Sequence, residues 1–120
     1  MAGKELKNGS ERREYPRHVA NIQVKIRIGS ETADGSIIDI SLEGLRISAP
    51  RRIKPSTDVV ISFSTGKEVS ILARVVWTLD KIAGGLPSYL AGLKIYSISV
   101  NKKDVQSMAE RVVFIENLLA

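Results

Sequence analysis

Glu68-Val-Ser-Ile-Leu-Ala-Arg-Val-Val-Trp-Thr-Leu79 is the longest strand-like stretch of the chain, and its pattern decides the fold class. Val69, Ile71, Ala73, Val75, Trp77 and Leu79 share one face, while Leu72 and Val76 add apolar surface to the other. That doubling predicts a central strand. On this reading Trp77 continues the core face and is not a platform for stacking bases.

The same period of two recurs on either side. Upstream, Val59, Ile61 and Phe63 alternate before the turn Ser64-Thr-Gly-Lys67, and Ile22, Val24, Ile26 and Ile28 alternate with Gln23, Lys25 and Arg27 until Gly29-Ser30. Between them, Gly35 to Ile40 and Leu45 to Ala49 flank a break at Ser41 to Gly44 and predict a hairpin closed by Pro50. A basic, two-proline loop fills Pro50 to Thr57. Downstream, Ala83-Gly-Gly-Leu-Pro87 interrupts the long strand, and Tyr89 to Tyr96 supplies the last, with Gly92 marking a bulge or a close backbone approach. The result is a mainly β chain with a six-stranded antiparallel barrel.

After the strands the period lengthens. Val105, Met108, Ala109, Val112, Ile115 and Leu119 recur at three and four residues and predict a C-terminal helix, capped by Asn101 with Asp104 near its positive end. Its apolar face needs cover from the barrel or from another subunit.

A chain of 120 residues with 43% hydrophobic content suits one domain. Residues 1–11 are polar and aperiodic and read as a flexible N-terminal arm; residues 12–120 read as the single domain. With no cysteine and one histidine, neither a disulfide framework nor a thiolate or imidazole metal cluster is expected. No apolar run is long enough to cross a bilayer and the first residues lack the apolar core of a secretion signal, so the expected location is the cytoplasm. Eighteen Lys and Arg against thirteen Asp and Glu give a net charge of +5, which favours phosphate, nucleic acid or anionic lipid without choosing among them.

Two short motifs are left over once the core is assigned: Arg12-Arg13-Glu-Tyr-Pro-Arg17 and Asp39-Ile-Ser41-Leu-Glu-Gly44. Pro16 argues against a helix, so the first is a loop whose Arg13 and Arg17 can stand up to about 13 Å apart, a span that suits a dinucleotide. In the second, Asp39 and Ser41 lie two apart and share a face on an extended backbone, while Gly44 permits a positive φ or close ligand approach. A carboxylate facing the N1 and N2 hydrogens of guanine, with arginine on O6 and N7, selects guanine over adenine.

These residues carry a family resemblance. The chain resembles the PilZ domain, whose signature R-x-x-x-R followed by [D/N]-x-S-x-x-G is matched by Arg13, Arg17, Asp39, Ser41 and Gly44; Ala73-Arg-Val-Val-Trp77, Gly92-Leu-Lys-Ile95 and the C-terminal helix extend it over nearly the whole chain. The resemblance implies a six-stranded barrel that binds cyclic di-GMP, with the first motif's arginines on phosphates and guanine edges and the second motif around a guanine. It further implies that Arg12, just before the first motif, favours a stacked, intercalated pair of ligand molecules. An arginine loop that orders when an anionic ligand neutralises it would then signal to a downstream protein.

Other residues read more plainly. Arg51-Arg52-Ile-Lys54 is a solvated loop, and His18 is a strand-entry residue. Ser41 has no elbow motif or positioned base, and Gly66-Lys67 lacks the upstream glycine of a phosphate-binding loop, so no catalysis is expected. Two rival functions remain: an interaction module without ligand, and a basic barrel holding single-stranded nucleic acid, for which the 5% aromatic content is scant.

Overall fold

The computed structural model describes residues 16–83 and 86–120. The predicted N-terminal arm, together with Arg12 and Arg13, lies outside them. Among the described residues seven strands and one helix follow in order: β1 (His18–Ile28), β2 (Glu31–Ile40), β3 (Gly44–Ala49), β4 (Asp58–Ser64), β5 (Glu68–Ala83), β6 (Leu86–Val100), β7 (Lys103–Asp104) and α1 (Met108–Leu119).

All pairings are antiparallel, in the order β3-β2-β1-β4-β5-β6-β7. The sheet closes because β3 also pairs β6, from Gly44 opposite Lys94 to Ala49 opposite Tyr89. Closure gives the six long strands partners around the ring and leaves β7 as a short addition on β6. The predicted period-two residues point inward: Val24, Ile26, Ile37, Ile47, Val59, Ile61, Val69, Ile71 and Val75 are buried. Each large aliphatic side chain removed from water stabilises the fold by roughly 1.5–3 kcal/mol.

Four irregularities reset which face a residue takes, the first in β1 between Val19 and Ile22. In β2 the register slips between Ile37 and Asp39; in β5 it slips between Val75 and Trp77; and between Leu72 and Ala73 the extra residue is Tyr96 of β6. The β5 bulge corrects the sequence expectation for two residues. Past it, Trp77 pairs with Gly92 and Leu79 with Leu90, both on the outer face, leaving Trp77 37% and Leu79 57% exposed. Trp77 is therefore not a core residue. It lies over Gly92, where a β-carbon would stand 2.2–2.7 Å from the indole, so the close approach expected at Gly92 is made by a side chain. The long hairpin also continues further than predicted, to Ala83 and from Leu86.

The helix start is corrected as well. Asn101 (φ 51°) and Lys102 (φ 68°) form a two-residue turn between Val100 and its partner Lys103, with both central residues in the left-handed region. Asn101 Oδ1 accepts from the Glu68 amide at 2.9 Å, and Asp104 belongs to β7. The cap is Ser107, whose Oγ accepts from the Glu110 amide at 3.1 Å while Glu110 Oε1 accepts from the Gln106 amide at 2.6 Å. Ser-x-x-Glu is the capping pattern, present in the sequence but overlooked beside Asn101. The covered stripe of α1 is Arg111, Phe114, Ile115 and Leu118, with only Ile115 fully buried. Met108, Val112 and Leu119, expected on the packed face, are exposed.

Candidate functional site

The bulge in β2 builds the site. Ile37 faces the barrel interior opposite Ile47, so an unbroken alternation would drive Asp39 inward too, burying a carboxylate among aliphatic side chains at a cost of several kcal/mol. The slip instead pairs Ile40 with Leu45 on the inside and Asp39 with Arg46 on the outside. Asp39 is still only 3% exposed, because arginines cover it.

Two guanidinium groups share that carboxylate. Arg46, on the neighbouring strand, donates from Nε to Oδ2 at 2.6 Å and also engages this oxygen through Nη2. Arg17, on the stretch leading into β1, donates from Nη1 to Oδ1 at 3.2 Å. The two arginines differ in how firmly they are held. Arg46 makes two short contacts from a strand; Arg17 makes one longer one, and its buried Nε has no hydrogen-bond partner among the described residues. In a hydrophobic setting an idle guanidinium donor is costly, and it marks where a further acceptor would be stabilising.

The turn beside Asp39 is tightly specified. The Ser41 amide donates to the Gly44 carbonyl at 2.8 Å and the Ser41 hydroxyl to the same oxygen at 3.3 Å. Glu43 accepts from the Ile95 amide at 2.8 Å, and Leu42 accepts from Arg111 Nη1 at 2.8 Å. The reason for glycine at position 44 differs from the expected one. Its φ is not positive; a β-carbon there would sit 2.9 Å from the Leu93 carbonyl oxygen, so it is β6 of the barrel that requires the small residue.

Of the six predicted site residues, four are thus brought together at one end of the β2–β3 hairpin: Arg17, Asp39, Ser41 and Gly44. Arg12 and Arg13 lie outside the described residues. Arg46 was missed. Its signal was present, because a hairpin turning at Ser41 to Gly44 sets a residue of β3 opposite Asp39 and only Arg46 there carries charge. Away from this site, the basic loop behaves as a solvated surface: Arg51 pairs with Glu31, Arg52 lies 3.9 Å from Asp80, and Ile53 is buried. Among the described residues no cluster of His, Cys, Asp or Glu has the makings of a metal site, and no helix is long and apolar enough to cross a membrane.

The family model described as PilZ domain matches residues 11–111. No curated protein matches the sequence. Solved structures with the same fold include the PilZ domain of CeSA from a cellulose-synthesizing bacterium, at TM-score 0.58 and 20% identity, covering 88% of this chain and 99% of that one. The PilZ domain of YcgR from Escherichia coli, solved with c-di-GMP, gives TM-score 0.58 and 15% identity over 87% of this chain and 90% of that one. The Bacillus subtilis inhibitor of motility (MotI/DgrA) gives TM-score 0.58 and 15% identity, covering 90% of this chain and 49% of that one.

Proposed function

The chain belongs to the PilZ domain family, and on that premise we propose that it is a receptor for cyclic di-GMP whose site is centred on Arg17 and Asp39. The observation that carries the reading is the unequal sharing of Asp39. Arg46 holds the carboxylate from the strand side and keeps it oriented, while Arg17 binds it more loosely and retains a buried donor with no partner among the described residues.

A guanine arriving at this end of the barrel would offer N1 and N2 hydrogens to the Asp39 oxygen that Arg17 releases. Arg17 would then turn its planar donors to O6 and N7 or to a phosphate, contacts that contribute about 1–3 kcal/mol of discrimination per bidentate pair. Arg12 and Arg13 join it on the same stretch of chain. Three arginines spaced over six residues repel one another, and a doubly anionic ligand removes that repulsion, so binding orders the segment and presents a changed surface to a partner protein. Arg12 adds the cation needed for an intercalated pair of ligand molecules.

The test is calorimetry of the full chain with cyclic di-GMP, linear pGpG, GTP, cyclic di-AMP and a short single-stranded DNA. Cyclic di-GMP is expected to bind, with two molecules per chain, and the others to bind weakly or not at all. Heat from the DNA alone would support the nucleic-acid reading, and silence from every ligand would support the adaptor without ligand.

A further inference from the structure

We propose that Arg111 is a positioning residue that couples the Asp39–Gly44 turn to the C-terminal helix, an inference that rests on the receptor reading above. Every carbonyl from Leu42 to Gly44 is engaged, but by different parts of the molecule. Glu43 is held by the barrel through Ile95, and Gly44 by Ser41 within the turn itself. Leu42 is held by α1 through Arg111 Nη1 at 2.8 Å. The same guanidinium reaches the Tyr96 carbonyl through Nη2 at 3.4 Å. Tyr96 is the extra residue of a bulge, since Leu72 pairs with Ser97 and Ala73 with Ile95. The bulge leaves that carbonyl out of the ladder and available to the helix.

A single side chain of α1 therefore spans the turn and the strand behind it. An apolar cavity of about 250 Å³ lies alongside, lined by Leu42, by Val112, Ile115 and Leu119 of α1 and by Pro16 and His18 of the stretch that carries Arg17. Entry segment, turn and helix meet there. When ligand engages both Arg17 and the turn, the helix is restrained through Arg111 and Leu42, and coupling of this kind is reciprocal: what the helix loses in order, the site loses in affinity.

The experiment uses Arg111→Met and Arg111→Lys in the full chain, with residue-resolved amide exchange and cyclic di-GMP calorimetry. Without ligand, Arg111→Met is expected to speed exchange at the Ser41 and Ile95 amides about tenfold, as fits loss of one charge-assisted hydrogen bond, while amides of Ile26 and Ile61 in the barrel stay protected. With ligand, its affinity is expected to fall about tenfold and the added protection that ligand gives to α1 in the unaltered protein to vanish; Arg111→Lys should restore part of both. Unchanged Ser41 and Ile95 exchange in Arg111→Met overturns the coupling, as does uniformly faster exchange across the barrel, which is the mark of a merely structural role. If the unaltered protein does not bind cyclic di-GMP the receptor reading fails, and the ligand-free exchange still decides the role of Arg111.

Discussion

Two bulges in this barrel use one device for opposite ends. In β2 the slip before Asp39 turns a carboxylate away from an aliphatic interior and into the reach of two arginines. In β5 the slip before Trp77 turns an indole and Leu79 away from the same interior and toward solvent, with the indole resting on Gly92. At the first, the bulge avoids the burial of an unpaired charge and creates a polar site. At the second it gives up apolar burial, which costs far less per residue. The difference teaches that the β2 end is energetically demanding, with every polar group dependent on a partner, whereas the β5–β6 ribbon tolerates change.

That contrast breaks most readily at Asp39. Asp39→Ala strands two guanidinium groups; because both are partly solvated, unfolding in denaturant is expected to show a loss of about 2–3 kcal/mol, below the usual range for a fully buried pair, with loss of ligand binding. Trp77→Ala at the other bulge is expected to cost only about 1–2 kcal/mol, since the indole is already 37% exposed. Equal losses at the two sites would contradict the comparison.

The glycines sharpen it. Gly44→Ala presses a methyl against the backbone oxygen of Leu93, which cannot swing aside, so about 1–3 kcal/mol of stability and much of the ligand affinity should go. Gly92→Ala meets the indole first, a side chain that can rotate away. The expected result is a red-shifted Trp77 emission with a loss under about 1.5 kcal/mol in a thermal melt.

The smallest effect belongs to surface ion pairs remote from both bulges. Hydrogen bonds from Arg74 hold the Asp58 carboxyl below its ordinary range, and Arg51 does the same for Glu31. A carboxyl whose folded value is depressed contributes stability above its unfolded value, near 4, and loses it as pH falls through the lowered folded value. Asp58→Asn should therefore leave the thermal melt at pH 7 almost unchanged and slightly flatten its decline below about pH 4.

Much of this was legible in the sequence, and what was not has a common cause. The inward residues Val24 and Ile26 of β1, Val59 and Ile61 of β4 and Val69 to Val75 of β5 follow simple alternation, and the hairpin that carries Asp39, Ser41 and Gly44 is bounded by its turn residues. Alternation fails across a bulge, because one extra residue exchanges the two faces and apolar side chains give no warning of it. Trp77 was misplaced for that reason. Asp39 escaped the same error because its charge already excluded the interior. Arg111 is not legible in the sequence because its partners are set by helix docking, which no local pattern reports, whereas Arg46 could be read from the hairpin that sets it opposite Asp39. The helix cap was a different failure, a turn-forming Asn101 preferred over Ser107 six residues later.

The central claim is that Arg17, loosely held on Asp39, is the cation that closes on the ligand. Calorimetric titration of cyclic di-GMP into Arg17→Ala and, as a control, Arg74→Ala measures it most directly, with thermal melts to confirm folding. Binding is expected to vanish in Arg17→Ala and to persist in Arg74→Ala, whose guanidinium serves Asp58 and lies 5.5 Å from the Tyr96 ring centre. Arg17→Ala binding with the affinity of the unaltered protein would contradict the account.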